Sequence, residues 1–352
     1  MKSYVRRSAI YFPDRDLFVP YPIQNHLRYL GSTLAAQALR EMVEAAKSNH
    51  PVTTMADWLK ANFGPTLCEL FFDPFHEMYT AGFWKSIVPQ DAYKSPVNLS
   101  LAIQGAFDAA PPIGYNANFI YPIEGLNTLA QRMAARCDIH YGKRAVRIDV
   151  KEKVVYFADG SAIRYETLLS TLPLNRMMEI TGLTLDEKAD PSTSALVINI
   201  GALKGRRCPQ EHWLYIPKSK ARFHRVGFYS NVDSSFLPTS ARETQDRVSI
   251  YVEKAYLEAQ RPGESEIKAL CEEVVSELQE WGWIKEAETV DSNWIDVAYT
   301  WASPGSKWRE KALTLLEEHN IYQVGRFARW VFQGIAQSIH DGLMAGTAFK
   351  FK

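Results

Sequence analysis

The chain has 352 residues, 46% of them apolar, enough for one large core or two moderate ones. Basic and acidic residues balance at 40 each, so no net field favours nucleic acid or an anionic membrane. No run reaches the roughly 18 apolar residues of a membrane span, and the opening MKSYVRRSAIYFPDRD carries arginines without the apolar stretch of a secretion peptide, so a cytoplasmic location is expected.

The first third reads as helical. FVPYPIQNHLRYL places two prolines ahead of a long amphipathic stretch, Asn25 to Lys47, where prolines are tolerated at helix starts. Met55 to Phe63 reads as a short helix and Pro65 to Phe83 as an aromatic-rich one. The texture changes near Gly114. Phe119 to Tyr121 is a strand candidate, and Gly125 opens the helix LNTLAQRMAARC. RAVRIDVKEKVVYFADGSAIRYETLLSTLP alternates like strands, with turns at Lys151-Glu152 and Asp159-Gly160. Leu168 to Pro173 is an apolar strand ending in small residues, as at the carboxyl edge of an open sheet.

ALVINIGAL, HWLYIP, HRVGFYSN and RVSIYVEK follow as strand-like runs, then a helix from Glu264 to Trp281 and a strand near Asp296 to Trp301. The closing stretch is IYQVGRFARWVFQGIAQSIHDGLMAG. Its apolar run, Ile321 to Val324, stops at Gly325-Arg326, and a helix-length segment follows with Ala336, Ile339, Leu343 and Met344 at helical spacing. Strand, glycine, helix is the geometry that aims backbone N–H groups and a positive helix end at a pyrophosphate. The G-x-G-x-x-G that makes the other half of such a site is absent from the sequence. Strands and helices interleave, so the chain is expected to form two domains woven by several crossings.

Other constellations carry less chemistry. Cys68, Cys137, Cys208 and Cys271 lack C-x-x-C spacing and read as free thiols in a reducing cytosol. His340 and Asp341 are neighbours on a helix and do not face each other. No G-x-S-x-G supports a serine hydrolase, and His76 and Glu77 lack the H-E-x-x-H spacing for zinc. No metal site and no dedicated catalytic acid or base is expected.

The order of YPIEGLNTLAQRMA, V-x-I (Val146 to Ile148), the Ala158-Asp159-Gly160 turn, LLSTLP and VGRFARW resembles the flavin-dependent amine oxidase and protoporphyrinogen oxidase superfamily from about Gly114 onward. FVPYPIQN, GYNANFIYP, HWLYIPKSKARFHRVGFYSN and the terminal VGRFARW are similar to UDP-galactopyranose mutases, above all the larger eukaryotic type and bacterial relatives. The resemblance implies a mixed α/β fold with a two-part, Rossmann-like FAD domain formed by 1–18, 114–175 and 320–352. It also implies a helical subdomain at 19–113 and an inserted mixed-sheet substrate domain at 176–319. It implies FAD against Val146, Gly325, Arg326, Gly334 and Ile335, and a sugar-nucleotide substrate met by Tyr21, Gln24, Asn116, Tyr215, Arg225, Trp301 and Phe332. A guanidinium fork and a phenolic donor suit a diphosphate, which is the independent argument for Arg225 and Tyr215.

The chain also departs from that pattern. By the resemblance it starts just before the Y-P-x-Q-N motif and lacks roughly 70–80 leading residues that hold the first strand and the pyrophosphate loop. Phe332 and Trp301 stand where the mutases have tyrosines, and no counterpart is found for the arginine ahead of their G-x-N strand. Two readings stay open: a flavoenzyme, oxidase-like or mutase-like, completed by a separate βαβ unit, and a cofactor-free homologue acting as a binding or structural protein. The missing strand and helix would leave a bare edge. That edge is expected to be covered by Ser8 to Phe12, by a second copy of the chain, or by a small partner protein.

Overall fold

Sheet pairing in this chain joins segments far apart in sequence. The computed structural model describes residues 1–47, 51–90, 97–110, 117–258 and 260–349. Its strands, in chain order, are β1 (Lys2–Val5), β2 (Ser8–Phe12), β3 (Leu17–Pro20), β4 (Asn118–Tyr121), β5 (Ala145–Asp149), β6 (Val154–Phe157), β7 (Ala162–Arg164), β8 (Leu168–Ser170), β9 (Ser192–Lys204), β10 (Trp213–Tyr215), β11 (Arg225–Phe228), β12 (Arg247–Leu257), β13 (Ile284–Thr300) and β14 (Ile321–Gln323). Two compact units result, Met1–Ile123 with Thr193–Ala298, and Glu124–Ser192 with Tyr299–Lys352.

The first unit is built on a seven-stranded sheet in the order β13-β9-β12-β11-β10-β2-β3. Alternation along β12 turns Val248, Ile250 and Val252 to one face, where Leu270, Val274 and Leu278 of the helix Glu264–Glu280 meet them with Trp281 and Trp283. β2 lies parallel to β10 and antiparallel to β3, and all five of its residues are buried. Of residues 1–18, expected with the flavin domain, Ser8–Phe12 and the start of β3 thus lie in this sheet, while β1 pairs with β4 in a separate two-stranded sheet of the same unit. Tyr11 of β2 sits 4.9 Å from the Trp283 ring in the aromatic centre of the core.

The helical stretch also lies in this unit. The helix expected from Asn25 begins only at Ser32, because two single turns, Ile23–Asn25 and Leu27–Leu30, come first and end at Gly31 with φ 84°. The helix Met55–Leu67 is kinked at Gly64 (φ 73°) ahead of Pro65. Glu41 caps the resumed turn, its carboxylate accepting from the Thr66 N–H at 2.7 Å, the Thr66 hydroxyl at 2.8 Å and Gln37 at 3.1 Å. The strand near Asp296 proves much longer, starting at Ile284. It is the outer strand of the sheet, and its charged solvent-facing residues hide the strand pattern while protecting the edge.

In the second unit β14 pairs in parallel with β8, Ile321 opposite Leu168, and β5, β6 and β7 form an antiparallel meander. Asp149 and Gly160 make its two turns, the Asp149 carboxylate accepting from the Lys151 and Glu152 amides. The helix Leu174–Thr181 packs on β5, and its first amide bonds the Phe327 carbonyl at 3.2 Å. The expected helix directly after Gly325 does not form. Gly325 (φ 90°) opens a short run of turns that Trp330 (φ 54°) ends, and the helix Ile335–Ala348 starts behind Gly334. That helix buries none of its residues, leaving Ile335, Leu343 and Met344 more than half exposed.

Candidate functional site

Strand register assembles a polar face in the first unit. Tyr215 on β10 lies opposite Arg225 on β11, which lies opposite Glu253 on β12. Two residues along the strands, Trp213, Gly227 and Tyr251 form the next row on the same face. Gly227 is required there: a Cβ would stand 1.9 Å from the Tyr251 ring. Tyr21, just past β3, brings its ring to 4.7 Å from Tyr215, and Phe75 meets the same tyrosine edge-on at 5.3 Å. Gln24 follows in the turn Ile23–Asn25 and is fully buried. Tyr21, Tyr215 and Arg225 are thus brought together as expected from the sequence, while Asn116 lies outside the described residues.

The charges on this face are coupled. Arg225 forms an ion pair with Glu253, and its guanidinium also lies 5.6 Å from the Tyr251 ring centre. Burial pushes the Glu253 carboxyl up, but the Arg225 guanidinium beside it outweighs this and holds it well below the usual carboxylate range. His224 Nε2 stands 3.5 Å from the same carboxylate, and burial keeps this imidazole neutral by lowering its pKa. Burial raises the Tyr215 phenol despite the nearby Arg225 and Arg6, so it stays a hydrogen-bond donor at neutral pH. Arg6 is 6% exposed, and its guanidinium lies 5.6 Å from the Tyr21 ring centre.

Glu253, His224, Tyr251 and Arg6 were not singled out from the sequence. The alternation of RVSIYVEK does put Tyr251 and Glu253 on one face, but only the strand register shows that this face is the one bearing Arg225.

The second unit holds the other expected residues. Arg326 is caged by aromatic rings, 4.7 Å from Phe332, 5.3 Å from Phe327 and 5.7 Å from Tyr299. Trp301 is 2% exposed and packs in the core, its carbonyl accepting from the Trp330 indole at 3.0 Å. Gly334 and Ile335 form the start of the last helix, where the Gln337 side chain accepts from the Gly334 amide at 2.9 Å. Val146 falls at a register shift between β5 and β6, is skipped by the pairing, and is 41% exposed.

These features fit part of a flavin site. An exposed backbone position at a bulge can pair with a base edge, and a helix start can face an anion. Nothing stands within 4 Å of where a Gly325 Cβ would lie, so that turn has open space beside it. Among the described residues, no helix is long and apolar enough to cross a membrane and no cluster of His, Cys, Asp or Glu could hold a metal.

A mixed sheet and helical lobe joined to an α/β unit define the fold of FAD-dependent oxidoreductases. A reduced UDP-galactopyranose mutase superposes with a TM-score of 0.80 at 21% identity, over 94% of this chain and 75% of that one. A protein assigned as a protoporphyrinogen oxidase from Exiguobacterium sp. 255-15 gives 0.68 at 10% identity, over 99% and 81%. A fatty acid isomerase from P. acnes that produces CLA gives 0.57 at 12%, also over 99% and 81%. The family model for flavin containing amine oxidoreductases matches residues 12–346, and the chain belongs to that family.

Proposed function

We propose that the protein is a flavin-dependent enzyme acting on a sugar nucleotide or a closely related diphosphate substrate. The observation that carries this reading is the row Tyr215–Arg225–Glu253 with Tyr21 against Tyr215, a partly exposed face whose spacing is fixed by strand register. Arg225 offers charge-assisted hydrogen bonds to phosphoryl oxygens, Tyr215 a neutral phenolic donor, and Tyr21 an aromatic surface. Gln24 and Asn116 are proposed to complete the substrate side. Glu253 holds the Arg225 side chain in place across the strands, which limits the ordering needed when a ligand arrives.

On the second unit we assign the FAD contacts to Val146, Gly325, Arg326, Gly334 and Ile335; Trp301, expected to meet the substrate, is instead a core residue at 2% exposure. Bound there, the flavin would accept a hydride or, when reduced, act as a nucleophile at an anomeric carbon. The part of this chain is to orient and desolvate. Phe332 and Phe327 hold the Arg326 guanidinium against apolar surface while leaving its charge intact.

Secure flavin binding is proposed to need a βαβ segment with a phosphate loop, since none of the 352 residues forms a G-x-G-x-x-G. Two-stranded parallel sheets are rarely left open. The pair β8–β14 and the bare helix Ile335–Ala348 support the idea that another polypeptide, or a second copy, packs on this unit.

The test is the visible spectrum of the purified protein, alone and after incubation with FAD. Stoichiometric absorbance at about 450 nm is expected for bound oxidised flavin. A colourless protein that takes up no added FAD would exclude flavin chemistry for these residues by themselves. Calorimetry with UDP tests the substrate side separately.

A further inference from the structure

Three ionisable side chains step down from the surface beside Tyr215. The Arg225 side chain is 27% exposed, that of Glu253 13% and that of His224 2%. Arg225 pairs with one Glu253 oxygen, and the other, Oε2, stands 3.5 Å from His224 Nε2. That is longer than a well-formed hydrogen bond. Nδ1 of the same ring has no hydrogen-bond partner. Tyr79 and Phe75, both on the helix Asp73–Tyr79, put their ring centres 5.4 Å and 6.0 Å from the imidazole, and Phe75 also meets Tyr215 of β10. An imidazole kept only for its shape is replaceable by phenylalanine. This one carries two polar nitrogens into an apolar setting, which is costly unless they are used.

The charges indicate the use. Without ligand, Arg225 and Glu253 balance, and burial keeps His224 neutral. A diphosphate reaches Arg225 first, because it is the outermost of the three. Phosphoryl oxygens then share the guanidinium, and the Glu253 carboxylate lies beside more negative charge than before. Added negative charge raises the proton affinity of a nearby imidazole. The other ionisable groups facing His224 among the described residues are Arg225, on its own strand, and the Tyr79 phenol. Neither takes up a proton near neutral pH, since both already hold theirs.

We infer that His224 is a positioning residue for the anion site: when a diphosphate engages Arg225, the imidazole takes one proton from solvent, closes its 3.5 Å gap to Glu253 and holds that carboxylate back from the ligand. The proton lost by solvent is the one gained by the ring, and Nε2–H then donates a charge-assisted bond to Oε2. This rests on reading the face as an anion site, and it adds the group that makes binding there proton-linked.

Terminal phosphates titrate near pH 6 themselves, so the probe is the diphosphate diester UDP-glucose, whose charge stays constant over the range used. The full chain is titrated calorimetrically at about pH 5.5, 6.5, 7.5 and 8.5, and at one pH in buffers of different ionisation enthalpy. Proton uptake is expected, seen as a heat that depends on the buffer. Affinity should fall as pH rises, by at most about tenfold per unit, because the bound state holds the proton more tightly than the free one. The gain is complete below the free imidazole's value, which burial lowers, and is lost above the bound one. His224→Phe keeps a packed ring, and His224→Gln keeps a donor toward Glu253 without a titrating group. Both are expected to abolish the buffer dependence and flatten the pH profile. A purely structural histidine would shift affinity or melting temperature alike at every pH and leave the proton uptake in place.

Wild-type binding with no buffer dependence and a flat pH profile overturns the inference while the anion site stands. Proton uptake of wild-type size in either variant overturns it too. If wild type binds no UDP-glucose at any of these pH values, the anion site is refuted and the inference with it. Should His224→Phe fail to fold, His224→Gln and the wild-type profile decide.

Discussion

Glu277 is a side chain whose removal should be felt at the polar face without touching it. It lies on the helix Glu264–Glu280, is 3% exposed, and accepts three hydrogen bonds, from the Ser219 hydroxyl at 2.9 Å, the Lys220 amide at 2.8 Å and the Ala221 amide at 3.0 Å. Those donors sit in the loop joining β10, which ends at Tyr215, to β11, which begins at Arg225. In Glu277→Ala the loop loses all three hydrogen bonds and two main-chain donors go unmet. Each costs about 1–3 kcal/mol when buried. With partial rescue by water entering the vacated space, the loss is about 3–4 kcal/mol.

Glu277→Gln keeps one carbonyl oxygen but turns an NH2 toward donors, for about 1–2 kcal/mol. The assay is urea unfolding followed by tryptophan fluorescence, since Trp281 and Trp283 report on this core, with pyrophosphate affinity measured in parallel. The midpoint should fall at constant slope, more for alanine than for glutamine, and pyrophosphate binding should weaken as the loop loosens. An alanine variant within about 1 kcal/mol of wild type would refute the claim that the carboxylate organises the hairpin.

Three further outcomes are expected. Gly105→Ala drives a Cβ to 1.9 Å from the Asn25 carbonyl, backbone against backbone, so the helix Leu99–Phe107 must lift off the Gln24 turn; a drop in thermal midpoint matching about 2–3 kcal/mol is expected. Glu41 is pushed up by burial but held below its ordinary pKa by the bonds from Thr66 and Gln37, so its stabilisation is complete above the unfolded value and fades as pH falls through the folded one. The stability gap between wild type and Glu41→Gln should therefore be widest at neutral pH and shrink below about pH 4, as read by melts across that range. Trp330→Phe removes the indole donor to the Trp301 carbonyl, and a loss of about 1–2 kcal/mol is expected in denaturant melts.

Much of this architecture is legible in local pattern. The alternation of RVSIYVEK and ALVINIGAL marks β12 and β9 because one face of each is packed on the helix Glu264–Glu280, itself marked by apolar residues at helical spacing. Tyr21, Tyr215 and Arg225 were identified by resemblance to a known family, and the strand register explains why they meet. What stayed hidden depends on partners far away in sequence. Glu253 acquires its role only by lying opposite Arg225, and β13 is polar because it is an edge. The last helix was placed too early because apolar spacing cannot register that Trp330 takes a left-handed backbone and Gly334 begins a new turn.

The position of β2 sets the order in which this molecule can be made. Five residues near the amino end form an interior strand whose neighbour, β10, begins at Trp213. During synthesis the apolar segment Ser8–Phe12 leaves the ribosome long before the strand it must pair with, and the second unit's Glu124–Ser192 segment emerges in between. The sheet of the first unit can close only after β13 has appeared, so its folding is late in synthesis and dominated by distant contacts. Until then, the amino-terminal segment is a free apolar strand, and the nascent chain has reason to engage a chaperone there.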